Sequence, residues 1–173
     1  MKKQTKFCTL FLLASVSTLL FAAGGTDGIN VTLKANDLVV VQAGEKIYQA
    51  QCAACHGVYL EGQPDWRTRD ENGYLPAPPH DATGHTWHHA DDLLFEITKY
   101  GASVVINDKN YKTTMPAYEN MLSDEEIIAV LSFIKNSWPE EQRSWQEKLN
   151  GTHEDGFTLT PGKKSSILEK LLK

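Results

Sequence analysis

"QCAACHGV", Gln51 to Val58, sets two cysteines and a histidine within five positions of a 173-residue chain whose remaining cysteine is Cys8. Three chemistries use such a pattern: a redox dithiol, half of a zinc site, and an attachment point for haem. The rest of the chain has to choose among them.

A structural zinc site takes four ligands, and neither a second Cys-x-x-Cys nor a suitably spaced Cys/His pair follows position 56. A thioredoxin-like dithiol follows a strand and opens a helix, whose N-terminus lowers a thiol pKa. Here the order is reversed. In "NDLVVVQAGEKIYQAQ", Asn36 to Gln51, the residues Val40, Ala43, Ile47 and Ala50 recur at helical spacing, so the cysteines end a helix. Haem attachment takes the place the other two readings vacate. Cys52 and Cys55 are three residues apart, about one helical turn, so each thiol can add across one of the two vinyl groups on a haem edge. His56, directly after the second cysteine, is then the candidate proximal iron ligand.

The N-terminus carries Lys2, Lys3 and Lys6, an apolar run from Phe7 to Phe21, and then small residues. That layout is a secretory signal peptide, expected over residues 1–24 with cleavage near Ala23 or Gly24. The apolar run is short for a membrane span, so membrane attachment is expected only if the signal is retained. Cys8 leaves with the signal, and Cys52 and Cys55 then remain as a pair in a compartment where disulfides persist. Removing three lysines leaves 14 basic and 22 acidic side chains, a formal charge of −8. An acidic chain of this kind argues against nucleic acid as a partner. With 41% hydrophobic and 23% charged residues, one globular domain is expected.

A second axial ligand has to come from far along the chain. In "YKTTMPAYENMLSDEEIIAVLSFIKNSWP", Met115 precedes Pro116, whose fixed φ stiffens the loop that would hold the thioether sulfur. Met121 is its rival. Ser123 and Glu126 form an S-x-x-E capping box that opens a helix through Ile127, Ile128, Leu131 and Ile134, which makes Met121 a hydrophobic staple at the helix start.

With these segments the chain resembles the class I c-type cytochromes, small monohaem electron carriers of the bacterial periplasm. "GEKIYQAQCAACHG", "TMPAYENMLSDEEIIAVLSFI" and the helix between them carry the likeness over about residues 40–139. The resemblance implies a mainly α cytochrome c fold, with N- and C-terminal helices crossing beside one covalently bound haem c and its iron. In that family a glycine on one helix meets an aromatic on the other. Gly44 and Tyr48 match the first helix, with Phe133 or Trp138 as partner. The domain is expected over residues 37–139, after a linker at 25–36 and before a C-terminal extension at 140–173, partly helical or loosely ordered. Within the extension, Ile167, Leu168, Leu171 and Leu172 suit a short amphipathic helix.

The middle of the chain is long and irregular, with "RDENGY" readable as a turn. A helix is expected from Asp91 to Tyr100, acidic in its first turn, with Lys99 in its last and Gly101 as a stop. Its Leu94, Phe95 and Ile97 are expected against the haem ring. His80, His85, His88 and His89 cluster before it. Two readings fit them: a second metal site, with copper as the candidate ion, or a loop of hydrogen-bonding side chains. His85, Trp87 and Trp66 are candidate donors to a haem propionate, and Arg67 and Arg69 candidate ion-pair partners.

An iron filled by His56 and Met115 has no position for substrate, so the expected activity is one-electron transfer with no small-molecule substrate, through transient contacts with redox partner proteins. Two alternatives stand beside it. One is a haem-based sensor or peroxidase-like enzyme with a labile sixth ligand; the other is a copper-linked redox protein using the four histidines.

Overall fold

The computed structural model describes residues 30–153. The expected signal peptide with Cys8, the start of the expected linker, and the Ile167–Leu172 helix lie outside them. Among the described residues there are six α-helices, one 3-10 turn and no strand.

Helix α1 (Leu38–Gln51) starts where the Asp37 side chain accepts hydrogen bonds from the Val39 and Val40 N–H groups at 3.0 and 3.3 Å. Its buried line is Val41, Gly44 and Tyr48, one residue on from the expected stripe; Val40 and Ile47 are half-buried, and Ala43 and Ala50 are exposed. The shift has a physical cause. Helix α5 (Asp124–Asn136) crosses α1 so closely that a Cβ on Gly44 would stand 1.9 Å from the Ala129 carbonyl oxygen. The contact face therefore centres on the residue with no side chain. One turn further on, the Tyr48 and Phe133 rings meet with centroids 5.4 Å apart. Phe133, rather than Trp138, is the aromatic partner at this crossing.

Ser123 and Glu126 close the capping box of α5 from both sides. Met121 is 53% exposed, and Leu122 packs against the core that holds Ile127. The staple is therefore Leu122, the residue directly before the cap. Position decides this, because the side chain before the cap faces the fourth helical residue.

Helix α3 (Asp91–Tyr100) has the expected limits and buries Leu94, Phe95 and Thr98. Its N-cap, Ala90, offers no side-chain acceptor, and Asn150 of α6 (Glu140–His153) accepts the Asp91 N–H instead at 2.9 Å. Gln146 of α6 is fully buried and donates to the His89 carbonyl and to Asp91. The described part of the extension is thus docked on the domain, with α6 against the 3-10 turn Thr86–His88.

The described part of the expected linker, residues 30–36, is also built in. Leu33 and Ala35 are buried. The Leu33 N–H is donated to Asp91 and the Lys34 N–H to Ser132, both at 2.8 Å, while the Ala35 carbonyl accepts from Asn136. Buried backbone groups need such partners, and α3 and α5 provide them. Asp91 also faces the buried Lys135 ammonium at 3.4 Å, so one carboxylate joins the N-terminal strap, α3, α5 and α6.

Candidate functional site

The motif Cys-Ala-Ala-Cys-His is one helical turn. Cys52 caps α1, donating its N–H to the Tyr48 carbonyl, and its own carbonyl accepts the Cys55 and His56 N–H groups at 3.1 and 2.9 Å. These bonds form α2 (Ala53–His56), which ends at Gly57 with φ of +83°. An i, i+3 spacing puts both sulfurs on one side of the turn. Both thiols are free, Cys55 exposed and Cys52 partly covered. Burial, with Cys55 beside it, pushes the Cys52 thiol up to about 11.

His56 is 7% exposed. Its Nδ1 lies 2.8 Å from the Pro78 carbonyl, which can only accept, so Nδ1 carries the proton and Nε2 keeps a lone pair. Burial lowers its pKa, with the Pro78 bond acting in the opposite direction. The neutral imidazole is the form a metal needs.

Several residues that hold this arrangement escaped the sequence reading. Pro78 lies in "PAPPH", Pro76 to His80, a run whose prolines lack N–H groups and leave carbonyls to accept from outside. Gly62, at φ of +67°, lets that run approach; a Cβ there would meet the Pro79 nitrogen at 2.4 Å. Leu60 is buried in the left-handed region, and its carbonyl accepts the His80 and Asp81 N–H groups. The proline run was the available signal. The other positions depend on contacts between distant segments.

Met115 lies in the loop between α4 (Ala102–Val105) and α5, partly buried against the core, with its N–H on the Thr113 hydroxyl at 3.1 Å. Three residues later, Tyr118 donates its hydroxyl to the carbonyl of Gln51, the residue before Cys52. The methionine loop is therefore tied to the cysteine motif. Met121 points outward.

The four histidines separate. His80 stacks on His56, with centroids 4.0 Å apart. His85, His88 and His89 form their own group, with His85 5.1 Å from His88 and 4.7 Å from His89. Burial lowers all three pKa values, that of His89 to about 4. Among the described residues, no group of three or more His, Cys, Asp or Glu is arranged to hold a metal ion. The Trp87 indole, an expected propionate donor, gives its N–H to the Ala82 carbonyl at 3.2 Å. Trp66 lies under the Arg67 guanidinium, and Arg69 donates to the Gly73 carbonyl in the Asp70–Tyr74 turn.

The family model for cytochrome c matches residues 41–138, more than half of the chain, from the first turn of α1 to just past the end of α5. This chain belongs to the cytochrome c family. It is a class I c-type cytochrome with the cytochrome c fold, and its cofactor is covalently attached haem c with iron. The donor set fits that group: two free thiols on one turn, and beside them a buried imidazole whose open nitrogen has its tautomer fixed. Proteins of this family carry electrons between redox partner proteins. Among solved structures, cytochrome cL from the marine methylotrophic bacterium Methylophaga aminisulfidivorans is similar at 20% identity. The match covers 84% of this chain and 89% of that one, with a TM-score of 0.46. No curated protein matches the chain. Among the described residues, no helix is long and apolar enough to cross a membrane.

Proposed function

We propose that this cytochrome is an exported, periplasmic one-electron carrier, with thioethers from Cys52 and Cys55 and with His56 and Met115 as axial ligands. Haem c supplies the one-electron Fe(II)/Fe(III) couple. The chain's own residues do the rest. His56 offers Nε2 because Pro78 holds its proton at Nδ1. Pro116 and the Tyr118 bond to Gln51 restrain the loop that carries Met115. Leu94 and Phe95 contribute apolar packing that excludes water. The fixed tautomer of His56, one residue from Cys55, is the observation that carries this reading.

With both axial positions taken by side chains, no site remains for substrate, and the proposed activity is electron transfer rather than catalysis. Its partners are redox proteins met transiently at the surface near the exposed Cys55. Residues 1–24 are the proposed export signal and 37–139 the haem-binding unit. His85 and Trp66 are the proposed propionate donors. The test is spectroscopic. Colour should survive acid-acetone extraction, and the oxidised protein should show the weak methionine-to-iron charge-transfer band. Met115→Ala should abolish that band and let the reduced protein bind carbon monoxide, while Met121→Ala should change neither. Carbon monoxide binding by the unaltered protein at neutral pH would overturn the ligand set in favour of a sensor or enzyme.

A further inference from the structure

His80 packs face to face against His56. The two imidazoles are stacked at 4.0 Å with 19° between their planes. His80 is itself held from several parts of the chain. Its N–H is donated to the Leu60 carbonyl at 2.8 Å, its carbonyl accepts the Trp138 indole N–H at 2.7 Å, and its Nδ1 lies 2.7 Å from the Thr86 hydroxyl. The Tyr48 ring meets it edge-on, 6.2 Å away at 71°.

Resting on the assignment of His56 as an axial ligand, we propose that His80 is a positioning residue that fixes the plane of the His56 ring and lowers the reduction potential. The Pro78 bond fixes where Nδ1 of His56 points, yet leaves the ring free to tilt about that line. A flat group clamped against the ring face removes this freedom. Pro78 and His80 belong to one short segment, so the same loop grips the ligand by its edge and by its face. The plane of a ligating imidazole determines which iron orbital it overlaps, and partners of a ligating histidine tune the metal. The oxidised state places more positive charge on His56, and an aromatic face beside it stabilises that charge.

The test compares the haem-loaded protein with His80→Leu and His80→Phe, reading the potential by spectroelectrochemistry and the spread of haem methyl shifts in the oxidised protein by NMR. His80→Leu should raise the potential and change the methyl pattern. His80→Phe, which keeps a ring face, should stay near the unaltered protein in both. Unchanged values in the leucine variant, or equal changes in both variants, would overturn the proposal. A readout on the unaltered protein is independent of how the variants fold: the His80 ring protons should carry large paramagnetic shifts, and ordinary diamagnetic positions would also overturn it. His56→Ala separates the two levels, because a low-spin spectrum that survives it rejects the ligand assignment itself.

Discussion

Replacing Gly44 with alanine should destabilise the protein even though alanine is the better helix former. In an exposed helix the change gains about 1 kcal/mol. At Gly44 the new methyl group would sit 1.9 Å from the Ala129 oxygen, 2.5 Å from its carbonyl carbon and 3.0 Å from the Phe133 Cβ. Two of these atoms are backbone, so no side-chain rotation relieves the clash, and α1 and α5 have to part by more than an ångström. Overpacking costs about 1–3 kcal/mol and more where backbone must move, and separating Tyr48 from Phe133 adds about 1 kcal/mol. The net loss is about 1–3 kcal/mol after the helix gain, a fall of roughly 4–12 °C in melting temperature at about 4 °C per kcal/mol for a domain of this size. Gly151 provides the internal control. It is helical, and a Cβ there meets nothing within 4 Å. Gly151→Ala should therefore hold or raise the melting temperature. Calorimetry of the haem-loaded variants decides the matter; a Gly44→Ala protein as stable as the parent would refute the crossing argument.

Two further outcomes follow from buried polar groups. Asp91→Ala leaves the Lys135 ammonium, 5% exposed, without a counter-charge and should cost about 3–5 kcal/mol in guanidinium unfolding. Adding Lys135→Met should recover part of that loss, and no recovery would show that the pair is not the cause. His89 is held neutral down to about 4 by burial, with His85 and His88 beside it, against an ordinary value of 6.5. Between those values the unfolded chain binds the extra proton, so the His89 contribution is intact above pH 6.5 and is lost as pH falls toward 4. His89→Gln should flatten the pH dependence of the unfolding midpoint in that interval, and an unchanged slope would remove His89 as its source.

What the sequence displayed was local chemistry. Cys52, Cys55 and His56 declare themselves by spacing, Ser123 and Glu126 by a capping box, and α3 by an acidic first turn and Gly101 at its end. The less readable features all depend on segments far apart in the chain. The buried face of α1 is set by how closely α5 approaches, which composition does not encode. Leu122 rather than Met121 closes the start of α5 because orientation, not apolar character, selects the staple. That residues 30–36 and α6 are held to the domain is not readable locally, because their partners, Asp91, Ser132 and Asn136, lie 55 to 101 residues away. His80 read as one of four similar histidines, and only the return of the proline run to His56 sets it apart.

The Trp138 bond to the His80 carbonyl spans 58 residues and joins the end of the last core helix to the loop beside His56. The C-terminal end of α5 thus has a physical connection to the surroundings of His56 that is separate from the α1 crossing. Loosening that end, by a partner pressing on it or by a bulky label, would register as a colour or voltage change before it registered as unfolding.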